Sequence, residues 1–254
     1  MCTLVILHGV VDAYPLVVAA NRDEAYDRSA TGVGLLQASP FAVLAPKDEE
    51  RGGTWFGAAQ GGWFVAITNQ DVEHEVDAPL SRGHVITELL TLNDHRRTVR
   101  RLLSLERQRY NPFNVVFGRP GAVFLARVHH DRPVELDIVD NGITIVTNDT
   151  VGPTYQRKAN HAAAMANMVD ADDCADDVVA KLRLVLGDHT NDEHGPHQAM
   201  CVHDVMHSCG TRSSTILLVS AAGDVDYYHH DGPPCNELGP MKHDRLMSLD
   251  LEDL

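Results

Sequence analysis

The sequence is short of lysine, of paired cysteines and of long apolar runs, and each shortage excludes something. Only four of its 254 residues are lysines, against 17 arginines. With 36 acidic residues against those 21 bases, the formal net charge is −15. A surface of that sign repels phosphate backbones, which excludes a general binder of nucleic acid or of anionic membranes. No stretch approaches the roughly 18 apolar residues of a membrane span. The five cysteines (Cys2, Cys174, Cys201, Cys209, Cys235) form no Cys-x-x-Cys pair, and their odd number fits reduced thiols rather than a disulfide framework. Residues Met1–His8 carry no lysine or arginine and no small-residue cleavage site follows them, so they do not read as a secretory signal. The expected compartment is the cytoplasm.

What is present is the make-up of a packed protein, with 44% hydrophobic residues. Asp outnumbers Glu by 25 to 11. Few lysines, many aspartates and a large negative charge together predict adaptation to high salt, where screening collapses self-repulsion. Loss of folded signal on dialysis into low salt is the expected behaviour. Neither a Pro/Gly/Ser linker nor a repeat interrupts the chain, and residues 1–254 read as one domain.

Short apolar runs at Thr3–His8 and Pro15–Ala20 predict a strand, a turn and a second strand. Thr54–Gly57 and Trp63–Thr68 predict a hairpin turned at Gln60-Gly61-Gly62. Helical periodicity covers Ser81–Leu90 and Asp94–Leu105, the second apolar at Val99, Leu102 and Leu103. Four strands follow, at Asn114–Phe117, Ala122–Val128, Val134–Val139 and Ile143–Thr147. Helices are expected at Arg157–Met168 and Asp173–Leu186, and late strands at Thr215–Ser220 and Val225–His230. Hairpin-linked strands with segregated helices predict an α+β fold, with two stacked sheets covered by helices.

Cys2 is the most informative position. Removal of an initiator Met before a small side chain leaves Cys at the amino terminus. Its α-amine titrates near ~8, close to the thiol at ~8.5, and so supplies a built-in base. A small buried hydrophobe at the start of a strand is the alternative. The apolar run Leu16–Ala20 ends abruptly in Asn21-Arg22-Asp23-Glu24. Alternation puts Asn21 and Asp23 on one face, with Arg22 and Glu24 on the other. If the two strands pair, this polar end lies beside Cys2, where an Asp accepts from the α-ammonium and an Arg favours thiolate. Gly52-Gly53 and Gly61-Gly62 read as turns that pack Trp55 and Trp63, since no Gly-Lys-Ser/Thr is present. Ser81 reads as a helix cap.

Met1-Cys2-Thr3, Asn21-Arg22-Asp23-Glu24, Asp48 with Gly52-Gly53-Thr54-Trp55, Thr68-Asn69, Ser81-Arg82-Gly83, Thr147-Asn148 and Gly210–Thr215 occur in order. The set resembles the Asn-Arg-Asp-Glu family, also called the Transport and Golgi organisation protein 2 family. That family in turn resembles the amino-terminal-nucleophile (Ntn) hydrolases of the bile-salt hydrolase and penicillin V acylase group. The resemblance implies a four-layer α-β-β-α sandwich. It implies Cys2 as nucleophile, Asp23 as its acidic partner, and Asn69 with Asn148 as the oxyanion hole. It matches Arg212 to the arginine near the carboxyl-terminal strands. Asn21 and Arg22 complete the expected catalytic set. Three positions depart from the pattern: Ala20 precedes Asn21 where the hydrolases carry arginine, Cys209 replaces an aromatic, and Asp71 replaces an arginine.

The activity implied is acyl transfer or hydrolysis on a small amide or thioester, with no cofactor. A non-catalytic carrier of haem, lipid or acyl-coenzyme A on the same fold is the alternative. His189, His194, His197, Cys201, His203, His207 and Cys209 form a dense segment of ligand types that suit zinc or haem iron. Their spacings match no standard finger, histidine serves as polar filler in a lysine-poor chain, and no metal is expected. His129-His130 and His229-His230 read as surface pairs at strand ends.

Overall fold

The computed structural model describes residues 2–70, 79–148, 153–236 and 240–248. Six strands open the chain: β1 (Cys2–His8), β2 (Leu16–Ala25), β3 (Ala30–Gln37), β4 (Val43–Asp48), β5 (Phe56–Ala59) and β6 (Trp63–Asn69). Helices α1 (Arg82–Leu92) and α2 (His95–Leu103) precede β7 (Phe113–Arg119), β8 (Ala122–Val128), β9 (Glu135–Ile138) and β10 (Gly142–Val146). Then come α3 (Pro153–Ala166), α4 (Ala175–Leu186), β11 (His203–Asp204), β12 (Cys209–Val219), β13 (Val225–Asp231) and β14 (Lys242–Leu246).

The strands form two antiparallel sheets. The first runs β10-β1-β2-β12-β13-β14, with β11 hydrogen-bonded to β12, and the second is a meander from β3 to β9. Strand β2 shows why the sheets stack. Its run Leu16–Ala20 is apolar on both faces, the pattern of a strand covered from both sides. Leu16, Val18 and Ala20 join Leu4, Ile6, Phe64 and Tyr227 between the sheets. Val17 and Ala19 turn the other way, onto Val178, Leu182 and Leu186 of α4 and Ala162 of α3. On the far side, Ile86 and Leu89 of α1 and Leu102 of α2 cover Trp63 and Phe117 of the second sheet. The architecture is therefore the α+β, four-layer α-β-β-α sandwich. No helix among the described residues is long and apolar enough to cross a membrane.

Strands β3 and β4 carry no strand signal in the sequence. β3 is a glycine-containing, largely exposed edge strand whose pairing with β4 shifts register twice, so alternation is lost. β4 contains Pro46, which argues against a strand in the interior of a sheet. Two other strands run further than expected. β2 continues to Ala25 and carries all of Asn21–Glu24, and β12 starts at Cys209 and carries the whole Gly210–Thr215 motif.

Ser81 does sit at the amino-terminal cap position of α1, but its hydroxyl makes no capping bond. His129 and His229 are buried rather than surface residues. His229 Nδ1 lies 2.9 Å from the Thr215 hydroxyl. Burial, assisted by Arg132, pushes the His129 pKa down.

Candidate functional site

The site grows from a mismatch in strand length. β1 pairs with β2 from His8↔Leu16 up to Cys2↔Arg22. β2 runs three residues further, and Asp23, Glu24 and Ala25 pair only with Thr211, Gly210 and Cys209 of β12. Among the described residues, the β1-side edge of β2 carries no strand beyond Arg22. Cys2 enters this arrangement through its backbone pairing with Arg22.

Arg22 is buried and faces the second sheet. Its guanidinium nitrogen is 3.2 Å from Asp48 Oδ2, and its Cζ stands 4.2 Å from the centre of the Trp55 ring. Arg28 Nε approaches the same Asp48 oxygen at 2.9 Å, and Glu24 lies 2.9 Å from the Arg28 Nη1. The other Asp48 oxygen accepts from the backbone N–H groups of Glu50 (3.1 Å) and Arg51 (2.8 Å). One carboxylate therefore closes a turn and holds two arginines at once.

That turn is pressed against the start of α1. Gly53 has φ +78°, and a Cβ there would stand 2.3 Å from the Gly83 carbonyl carbon, so only glycine fits. Thr54 N donates to Gly83 O at 3.2 Å. The Gly52–Trp55 and Ser81–Gly83 motifs meet backbone to backbone.

The two Thr-Asn pairs also meet, across the two sheets. The Thr68 hydroxyl donates to Thr147 O at 3.2 Å, and Asn114 Nδ2 donates to both the Thr68 hydroxyl (2.9 Å) and Thr147 O (3.2 Å). This fixes Asn69, at the end of β6, near Asn148, two residues beyond the Val146 that pairs with Leu4. Asn148 is buried.

A cleft of about 270 Å³ opens among these elements, lined by Arg22, Asp23, Trp55, Asn69, Ser81 and Arg82 among others. A neighbouring hollow of about 420 Å³ shares Arg22, Arg28 and Trp55 and adds Arg212, Ser213 and Asp231. Arg212 reaches it because β12 bulges between Thr211 and Ser213, which takes Arg212 out of the strand register. Its Nε is buried without a hydrogen-bond partner among the described residues. At the rim, the hydrogen bond from His229 holds the Asp231 carboxyl below the usual carboxylate range.

Asn21 and Asp23 behave differently, although alternation puts them on one face. The Asn21 amide is buried on the helix side and donates to Leu186 O and Met200 O, both at 2.8 Å. It is directed to the helix side and is not among the residues that line the cleft, whereas the resemblance counts it in the catalytic set. Both of its N–H groups are committed to holding the end of α4 and the loop beyond it. Asp23 lies past the end of β1 and is among the residues that line the cleft, and its carboxylate accepts from the Thr211 hydroxyl at 2.6 Å. Thr211 Oγ1 in turn accepts from Val202 N at 2.8 Å.

Sequence reasoning missed Arg28 and Asn114, and it gave Asp48 and Trp55 no site role. Asn114 did leave a signal, as one amide inside the apolar run Phe113–Phe117. Cys209 lies near this region but is a poor nucleophile: burial first, then the carboxylates of Asp204, Asp23 and Glu24, push its thiol up and keep it neutral. Asp71 falls outside the described residues.

The layers and strand order define the amino-terminal-nucleophile hydrolase fold. Three solved structures share it: the Caenorhabditis elegans N-acylethanolamine-hydrolyzing acid amidase ortholog, the Agrobacterium tumefaciens penicillin V acylase, and a variant of the Clostridium perfringens conjugated bile acid hydrolase. The amidase superposes with a TM-score of 0.58 at 10% identity, covering 86% of this chain and 92% of its own. The acylase gives 0.54 at 12% identity, covering 100% and 87%. The bile acid hydrolase gives 0.54 at 10%, covering 98% and 99%. At these identities the likeness is one of fold. By sequence, residues 1–231 match the family model "Transport and Golgi organisation 2", and the chain belongs to that family. The human Transport and Golgi organization protein 2 homolog is 25% identical over 242 residues, covering 85% of this chain and 86% of its own. The bovine homolog is 33% identical over a shorter stretch, 108 residues, or 41% of this chain and 39% of its own.

Proposed function

We propose that the chain is a cysteine-type Ntn hydrolase or acyltransferase acting on a small amide or thioester. The observation that supports this most is the register Cys2↔Arg22, which pairs Cys2 with the strand whose Arg22 and Asp23 line a cleft together with Asn69. With Met1 removed, the Cys2 α-amine takes the thiol proton and the thiolate attacks the substrate carbonyl. The oxyanion that forms receives the amide N–H groups of Asn69 and Asn148, each donor worth about 3 kcal/mol in the transition state. The ammonium then returns its proton to the leaving nitrogen or sulfur as the C–N or C–S bond breaks. Water or an acceptor releases the acyl group from Cys2. Asp23 orients the α-amine, anchored by the Thr211 hydroxyl. Arg22 is already bound to Asp48 and Trp55, so its part is a fixed positive potential that favours thiolate, not proton transfer. Arg212 faces the adjoining hollow, where it suits a polar or anionic part of the substrate. The proposed compartment is the cytoplasm, where the free thiols of Cys174, Cys201, Cys209 and Cys235 remain reduced.

A panel of N-acyl amides and acyl thioesters, assayed with wild type and Cys2→Ala, tests this reading. Turnover is expected to vanish in Cys2→Ala and to fall about 10²–10³-fold in Asn69→Ala. Equal rates in wild type and Cys2→Ala, or an intact mass that retains Met1, would overturn it.

A further inference from the structure

On the helix side of the first sheet, away from the cleft, His189, Cys201, His203 and Cys235 bring four ligand atoms within 4.8 Å of one another. They come from three separate segments: the turn after α4, the stretch from Cys201 into β11, which His203 opens, and the loop after β13. His203 Nε2 lies 3.2 Å from Cys235 Sγ and 3.7 Å from Cys201 Sγ. The rings of His189 and His203 stand face to face, 5.2 Å between centres and 28° apart in plane.

We propose that these four side chains form a structural zinc site. Zn–S bonds of about 2.3 Å and Zn–N bonds of about 2.0 Å in a tetrahedron set neighbouring ligand atoms about 3.3–3.8 Å apart. The two sulfur–nitrogen separations are already near that range, so small side-chain shifts complete the geometry. Two thiols and two imidazoles select zinc over the hard cations, which prefer oxygen. Coordination displaces one proton from each thiol, and the assembled site (Zn²⁺, two thiolates, two neutral imidazoles) carries no net charge. His189 Nδ1 lies 3.8 Å from Asp192 Oδ2, beyond hydrogen-bond distance. Cys201 is buried while His203 is exposed, so the site has a floor and an entry path.

The position gives the metal a task. The excursion from Gly187 to Cys201 holds only two short 3₁₀ turns of regular structure, yet its backbone supports β2. Cys201 is flanked by Met200, whose carbonyl takes the Asn21 amide, and by Val202, whose N–H donates to the Thr211 hydroxyl that holds Asp23. Zinc at Cys201 and Cys235 ties this excursion to the loop after β13 and stiffens the back of the strand that carries Asn21–Glu24. The site stands on its own ligands, independently of any reaction in the cleft.

Protein prepared without an affinity tag from zinc-supplemented cells is expected to carry one zinc per chain by elemental analysis. Cobalt loading of the apoprotein is expected to give the intense visible bands of a tetrahedral thiolate site. Cys235→Ser and His203→Ala, both nearer the surface than Cys201, should each lower zinc content at least tenfold. Cys209→Ser, which belongs to the neighbouring His197, Asp204 and Cys209 group, should leave it unchanged. Reduced wild-type protein that takes up neither zinc nor cobalt would overturn the proposal. So would a metal-free chain two hydrogens light with Cys201 joined to Cys235, or zinc lost in Cys209→Ser but kept in Cys235→Ser.

Discussion

The two faces of β2 answer to different demands within two residues. Toward the second sheet, Arg22 is buried in a web of charge, with Asp48, Arg28 and Glu24 around it and Trp55 beneath. Toward the helices, Asn21 is just as buried but neutral, its amide spent on two backbone carbonyls. Desolvating an ion pair is costly enough that well-packed apolar residues often stabilise as well or better. A neutral amide between two carbonyls is, in contrast, what loop backbone needs when it is buried. Asn21-Arg22-Asp23-Glu24 therefore reads as one motif along the chain and acts as two devices in space. Arg22 and Asp23 build the cleft, and Asn21 builds the scaffold behind it.

The strongest test of that division is Asp48→Ala. It leaves Arg22 buried beside Trp55 without its carboxylate and frees the amides of Glu50 and Arg51. Breaking a buried pair from one side costs about 3–5 kcal/mol, read here by denaturant unfolding. A loss below about 1 kcal/mol would mean that water solvates Arg22 freely and that the cleft face is no more demanding than the surface. Next in size is Asn21→Ala, which strips the donors from Leu186 O and Met200 O. Two buried carbonyls without partners cost roughly 2–4 kcal/mol together. Any chemistry in the cleft should survive in the fraction that folds, with kcat within about twofold of wild type. A folded Asn21→Ala protein with kcat down a hundredfold would join the two faces into one catalytic unit.

The difference between the faces also explains what the sequence could reveal. Alternation along Leu16–Glu24 is enough to separate Arg22 from Asn21, and the apolar run on both sides of β2 announces a strand covered twice. Residue order cannot say that β2 outruns the described β1, nor that Asp23, on the Asn21 side, lines the cleft. Nor does it show that Thr68 and Thr147 touch across two sheets, since the bond joins residues far apart in the chain. The glycine-broken edge strand β3 left no periodicity to read. Pro46 argued against β4. The zinc ligands evaded a spacing search for a related reason. Cys235 lies outside the histidine-rich segment, and the fold, not the local spacing, assembles the four.

The smallest effect is expected at Asp94, which does on the surface what Asp48 does in the cleft. Its Oδ1 accepts from Arg97 N at 2.7 Å and caps α2, just as Asp48 Oδ1 accepts from Glu50 and Arg51. No arginine is buried against Asp94, so Asp94→Ala should lower Tm by only about 1–3 °C at pH 7. The bond from Arg97 N, the largest influence, holds the Asp94 carboxyl below its ordinary value. A depressed folded pKa means that the stabilisation is complete above the ordinary carboxylate range and is lost as pH falls through the folded value. The melting curves of wild type and Asp94→Ala should therefore converge toward about pH 2, while Asp94→Asn keeps a cap whose effect does not change with pH. If Asp94→Ala instead matched Asp48→Ala in its cost, the turn bonds alone would account for the demand on Asp48. The contrast drawn from the buried arginines would then fall.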